Sequence, residues 1–267
     1  MKRLIMFTAL AAASIGLLAS FAGVAAGGSP VKASVVYNSV IPNGPPSNLP
    51  SVGAEAYAFN EFGNQINLGG TARRLNSVTV TLSSWACVSG AWFSGDCFTP
   101  AGATFSQPIT LNIYNASTDG GVTPGSLITS ATQTFSVPYR PSASANCTGG
   151  RWQQSPTKPC FNGLAGNVTF NFSGVTLPNT VVYGIVYNTR DFGPNPTGVA
   201  GPSDSLNIAL STDADVSAGS STSGTVWQNS PYGFEYCDGG VGGIGTFRAD
   251  SGCWTPYVPA VQFKAGS

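Results

Sequence analysis

The sequence predicts an all-β protein, an antiparallel two-sheet β-sandwich of jelly-roll-like form with long disulfide-closed loops. Three observations predict it. Apolar and polar residues alternate with period two through most of the chain after residue 33, the pattern of strands with one face in a core and one in water. No segment beyond the first thirty residues sustains a helical apolar stripe. Thirty-four glycines and nineteen prolines punctuate the sequence, as turns and strand ends require.

The N-terminus fixes the compartment expected for the chain. Lys2 and Arg3 precede an apolar run from Leu4 to Leu18, and small residues follow from Ala19 to Gly28. This is the pattern of a secretory signal peptide, residues 1–26, cleaved after Ala26, with Ala33 as the alternative position. The apolar core is short for an uncleaved membrane anchor, and no second run of spanning length follows. The remaining residues, 27–267, read as a single secreted domain with its core at about 34–265, a length that suits one large sandwich.

The strands follow in order. Val78, Val80 and Leu82 alternate with Ser77, Thr79 and Thr81; Ile109, Leu111 and Ile113 alternate with Thr110, Asn112 and Tyr114. Val168, Phe170 and Phe172 alternate with asparagine and threonine, and Leu206, Ile208 and Leu210 repeat the pattern. The run Val181–Tyr187 is apolar on both faces, which places it centrally in a sheet. Further strands are expected near 34–40, 54–59, 65–69, 127–137, 224–229 and 258–264. About ten short strands with long loops point to two packed antiparallel sheets.

Charge excludes one class of partner. Asp, Glu, Lys and Arg make up 8 % of the chain against about 25 % in an average soluble protein. Eleven basic residues balance eleven acidic ones, and loss of Lys2 and Arg3 with the leader leaves a small negative excess. No basic face for a nucleic acid can be assembled from this inventory.

Six cysteines, Cys87, Cys97, Cys147, Cys160, Cys237 and Cys253, imply disulfides in an exported chain. Six allow fifteen connectivities. Spacing favours three local bridges, 87–97, 147–160 and 237–253, each inside one long connection. A zinc site is disfavoured, because there is no CxxC pair and no histidine. Shaped loops on a rigid sandwich are where binding usually resides.

The runs Glu61–Leu75 (EFGNQINLGGTARRL) with Ser77-Val78-Thr79-Val80, Ile109–Tyr114 (ITLNIY) and Pro124–Leu127 (PGSL) carry a resemblance. So do Thr169–Phe172 (TFNF), Leu177-Pro178, Tyr183–Thr189 (YGIVYNT) and Trp254–Val261 (WTPYVPAV). Over roughly residues 35–265 the chain resembles uncharacterised exported proteins of actinobacteria-like genomes, similar in pattern to choice-of-anchor surface domains. The resemblance implies a sandwich fold and an extracellular location, with no established activity. Members often carry a C-terminal anchor, and this sequence departs by ending at its last strand.

The chemistry-bearing residues are few. Without histidine, neither Ser-His-Asp nor Cys-His arrangements can be built. Carboxylate pairs remain for a glycoside hydrolase: Glu55, Glu61 and Glu235, with Asp96, Asp191, Asp204, Asp213, Asp215, Asp238 and Asp250. No signature singles out an acid and a nucleophile, so no catalytic residue, cofactor or enzymatic activity is expected. Gly240–Gly245 matches GxGxxG without the strand–turn–helix setting that dinucleotide binding needs, and Asp191-Phe192-Gly193 stands without companions. Asp213 and Asp215 form a weak calcium candidate, and no other metal site is indicated. Of four Asn-x-Ser/Thr sequons, at Asn115, Asn146, Asn167 and Asn171, the last two fit the outward face of a strand.

The strongest functional hint is aromatic. Trp85, Trp92, Trp152 and Trp254 lie close to cysteines. Tryptophan on a rigid loop can stack on a sugar ring; the competing role is to pack on a disulfide and fill the loop's own core. Trp92 and Trp152, each inside a bridged loop, are the ones expected to be exposed, with Trp85, Tyr139 and Tyr236 as supporting ligand-binding candidates. Trp254 is expected to be structural. The resulting expectation is a non-catalytic extracellular or cell-surface protein that contacts a polysaccharide, another polymer or a surface protein. It would bind no nucleic acid and insert in no membrane after signal cleavage. The alternatives are a carbohydrate-binding module using the loop tryptophans, a carboxylate-dependent hydrolase, and a self-associating structural component of the surface.

Overall fold

The computed structural model of the protein describes residues 33–41, 49–54, 59–187, 205–222, 224–229, 245–251 and 254–267. In chain order the strands are β1 (Ser34–Asn38), β2 (Ser51–Gly53), β3 (Glu61–Asn67), β4 (Arg74–Ser84), β5 (Thr104–Asn115), β6 (Leu127–Pro138), β7 (Trp152–Gln153) and β8 (Cys160–Phe161). They continue with β9 (Leu164–Asn171), β10 (Thr180–Val186), β11 (Leu206–Thr212), β12 (Ser220–Ser221), β13 (Thr225–Asn229), β14 (Arg248–Ser251), β15 (Tyr257–Pro259) and β16 (Val261–Gly266). A single 3-10 turn, Asp213–Asp215, interrupts them among the described residues.

The expected sandwich is present, and its connectivity is that of a jelly roll. One sheet runs β1-β16-β4-β9 and the other β3-β10-β5-β6, with every pairing antiparallel. Strands distant in sequence are therefore neighbours in space, and the final strand β16 lies between β1 and β4. Extra strands elaborate this frame. β11 joins β4 at Ser84–Leu82, beyond the reach of β16, and pairs in turn with β2 and β15. The β13–β14 hairpin extends the second sheet past β3.

Alternation explains the core. Val78, Val80 and Leu82 of β4, Phe170 of β9, Ile208 of β11 and Phe263 of β16 meet Phe62, Ile66, Leu111, Ile113, Tyr183 and Ile185 of the opposite sheet. The outward faces of Asn167 and Asn171 are exposed, as the period-two reading requires. β10 is central, between β3 and β5, so its apolar pattern on both faces has a cause: Val182, facing away from the main core, is also buried.

That second burial rests on glycine. Gly63 of β3 and Gly184 of β10 are direct cross-strand partners. The outer face of this sheet thus has a bare strip at its centre. Trp227 of β13 and Tyr114 of β5 flank the strip, and Phe247 packs on both rings at 5.8 Å. Val182, Trp227 and Phe247 form a small outer core of their own.

Strand β3 begins four residues earlier than the expected 65–69, at Glu61. Gly63 and Asn64 therefore fall within the strand rather than before it. The segment expected near 54–59 lies mostly outside the described residues. No helix long and apolar enough to cross a membrane occurs among the described residues.

Candidate functional site

The two longest connections among the described residues leave the same end of the sandwich. β4 ends at Ser84, opposite Leu164 at the start of β9, while β5 starts at Thr104, opposite Pro138 at the end of β6. The β4–β5 loop and the β6–β9 loop therefore emerge side by side. Each is closed by the bridge expected for it, Cys87–Cys97 and Cys147–Cys160, with Cα separations of 5.5 and 5.9 Å. Cys237 and Cys253, and with them the third expected bridge, lie outside the described residues.

The loops are also bonded to one another. Arg140 N donates to the Ala86 carbonyl (3.1 Å), Ala143 N to the Cys97 carbonyl (2.9 Å) and Thr99 N to the Ser142 hydroxyl (2.9 Å). The Arg140 side chain is fully buried between them. Its guanidinium donates to the carbonyls of Gly150 (2.5 Å), Pro141 (3.3 Å) and Trp92 (3.5 Å). One fork thus ties the first disulfide loop, at Trp92, to the second, at Gly150. Burial lowers the guanidinium pKa from 12.5 to about 10, which leaves it charged at neutral pH. Charged donors strengthen each of these bonds over neutral ones.

The aromatic residues divide differently from the expectation. Trp152 is 2 % exposed: its indole N–H donates to the Gly163 carbonyl (3.0 Å) and its ring packs on Phe161 at 5.2 Å. It is the small core of its own loop, because the β7–β8 ribbon folds inward on it, and the expectation of an exposed Trp152 is corrected here. Trp85 is half-buried, bonded to the Ser83 hydroxyl (3.1 Å), and meets Trp92 edge-on at 4.6 Å. Trp92 is half-buried as well and stands edge-on to Phe93. Tyr139 packs on Phe105 at 4.9 Å. Tyr236 lies outside the described residues. Trp254 is buried and structural, as expected, with its N–H on Asp250 (3.1 Å).

What the first loop does expose is Phe93 (64 %), Phe98 (57 %) and Val88. These are three of the five large apolar side chains exposed among the described residues, within eleven positions of one another. All three lie in the one connection that the Cys87–Cys97 bridge closes. Sequence reasoning centred on tryptophan passed over both phenylalanines, whose signal was their place beside Cys97 and Trp92.

Each described carboxylate is held by hydrogen bonds in its own surroundings. Glu61 lies on the outer face of its sheet. Asp250 pairs with Val226, faces the main core, and accepts from Gln228 Nε2 (2.8 Å) and Trp254. The sheet separates the two. Asp96 and Asp119 are exposed and bonded within their own turns. Asp215 caps the 3-10 turn, accepting from Thr212 N and Oγ1, and Asp213 accepts from Ser221 (3.3 Å). The weak calcium candidate thus has other bonding, and no group of three metal-ligating residues occurs among the described residues. Glu55, Glu235, Asp191, Asp204 and Asp238 lie outside them.

Glu61 is 8 % exposed, its carboxylate folded over bare Gly184, where Oε1 accepts from Tyr114 (2.9 Å) and Asn112 (3.0 Å). Desolvation raises its pKa, and the two hydrogen bonds offset part of that rise. Because the folded-state value exceeds the unfolded one, the contribution of Glu61 to stability is full below the ordinary carboxylate range. It is lost as pH rises through the raised value. Chemical denaturation of Glu61→Gln across pH 4–8 is expected to show that slope flattened, with the variant gaining on the wild type at the upper end. Identical pH profiles would contradict this.

On the same outer face the β5–β6 connection crosses the sheet as a strap. Ser117 N reaches Gln65 Oε1 on β3 (3.4 Å), and the Gly121 carbonyl accepts from Ala249 N on β14 (3.1 Å). The Asp119 carboxylate holds the strap's shape by accepting from Ser117, Val122 N and both donors of Thr123. These bonds keep its pKa well below the usual range. A cavity of about 490 Å³ opens between strap and sheet.

Compared with known protein families, curated proteins and solved structures, the chain matches none.

Proposed function

We propose that the protein acts outside the cell as a non-catalytic binding protein. It meets an envelope or environmental polymer, or a surface protein, through the stapled tip that carries Phe93, Phe98, Val88 and the open part of Trp92. The observation that supports this most is the exposure of Phe93 and Phe98 on a loop held by a disulfide, by Arg140 and by the neighbouring loop. Rigid aromatic groups lose little conformational entropy on binding, so such a tip is pre-organised for contact. The leader-like N-terminus and the oxidised cysteines support the external location. A flat two-tryptophan sugar platform is not part of this reading, since Trp152 is buried.

The test is retention of the mature protein on isolated cell envelopes and insoluble polysaccharides. Phe93→Ser/Phe98→Ser is expected to weaken retention about tenfold or more, because central aromatic anchors dominate interface energetics. As exposed substitutions they should change unfolding free energy by only about 0.5 kcal/mol. Equal retention of variant and wild type would end the proposal.

A further inference from the structure

We infer that the cavity beneath the strap is a binding site for a neutral sugar unit, separate from the loop tip. Its walls include Gln65, Thr222, Thr225, Trp227 and Gly121. The volume, about 490 Å³, falls in the range of small-molecule sites and accommodates about one or two sugar rings.

The chemistry of the wall selects the ligand. The Gln65 amide nitrogen and the Thr225 hydroxyl, both half-buried, and the exposed Thr222 hydroxyl make no hydrogen bond among the described residues, and all three residues border the cavity. An amide and two hydroxyls both donate and accept, which matches a ligand whose own groups do both, namely hydroxyls. A charged ligand would need a counter-charge. The charged group on the wall is Asp250, whose side chain turns to the core and accepts from Gln228 and Trp254. Trp227 is almost wholly buried, so it gives the floor an apolar edge rather than an open stacking face. Recognition here rests on hydrogen bonds.

The site is also built in advance. The strap is fixed at both ends, to Gln65 and to Ala249, and internally by four donors on Asp119. A ligand entering meets a strap already in shape, which removes part of the ordering cost from binding. The whole arrangement lies on the outer face of the β3-containing sheet, whereas the aromatic tip lies on the loops at one end of the sandwich. The two surfaces are testable apart.

The experiment is calorimetric titration of the exported full chain with methyl pyranosides of neutral hexoses and N-acetylhexosamines. Glucuronate and glucosamine serve as charged comparators. At least one neutral glycoside is expected to saturate a single site, with the charged comparators about tenfold weaker or more. Thr222→Val/Thr225→Val should weaken that binding about tenfold or more, since it removes two hydrogen-bonding groups at constant shape. Thr225→Ser, which keeps the hydroxyl, should retain it, and Phe93→Ser/Phe98→Ser should leave it unchanged. Gln65→Met carries the same expected loss and replaces the valine pair if that variant fails to fold. The inference is overturned if no neutral glycoside saturates, if the charged comparators bind equally well, or if a folded valine or methionine variant binds as the wild type does.

Discussion

Replacing Arg140 with methionine is expected to destabilise the protein by about 3 kcal/mol, more than any exposed substitution on the same loops. The side chain is fully buried, and its three acceptors are backbone carbonyls of both disulfide loops and of its own connection. Methionine fills much of the volume and supplies no donor, so the buried Gly150 carbonyl and the two part-buried ones lose their partner. Lysine keeps a charge but has no planar fork with which to span two loops, so Arg140→Lys should recover less than half of the loss. Urea unfolding gives the magnitude. Amide exchange shows where it falls: Ala143 and Thr99, whose N–H groups bridge the loops, should exchange faster in both variants. A methionine variant as stable as the wild type would show that the loops hold together without the guanidinium.

The second large effect is expected at Gly63→Ala, again about 3 kcal/mol or more. A Cβ at this position would overlap the Tyr183 carbonyl oxygen on the neighbouring strand, and backbone in the middle of a sheet cannot give way cheaply. Gly184→Ala is the informative comparison. There the new carbon would meet the Glu61 carboxylate, the far end of a flexible side chain, which can swing aside at the cost of its bonds to Asn112 and Tyr114. A smaller loss, about half as large, is expected. Thermal or urea unfolding of both variants orders the two costs. The reverse order would mean that the outer-face packing, not strand contact, governs this part of the sheet.

These residues also show where sequence legibility stops. The segments Ile109–Tyr114 of β5 and Leu206–Leu210 of β11 were readable because one face must be apolar, and a period of two is visible in a single segment. The central position of β10 was readable for the same reason, from apolar residues on both faces. Local disulfide pairing was readable for Cys87–Cys97 and Cys147–Cys160 because each pair closes one connection.

The rest depends on neighbours that are remote in sequence. Gly63 and Gly184 make a bare strip only because β3 and β10 pair in one register. Arg140 lies between two predicted strands, and nothing in its own segment shows that both loops enclose it. Trp152 was expected to be exposed because it lies inside a bridged loop, yet it buries itself in the ribbon that the same loop forms. The strapped cavity joins β3, β13 and β14 to the β5–β6 connection, and no single segment carries a sign of it.

Under the proposed function, oxidised sulfur and Arg140 hold the aromatic tip in the form that binds, while the sandwich stands on its own core. Polymer retention and far-ultraviolet circular dichroism, recorded on one sample before and after reduction of the disulfides, test this most directly. The account predicts that reduction abolishes retention and leaves the β spectrum in place. Retention that survives reduction unchanged, or a β spectrum that collapses together with binding, would contradict it.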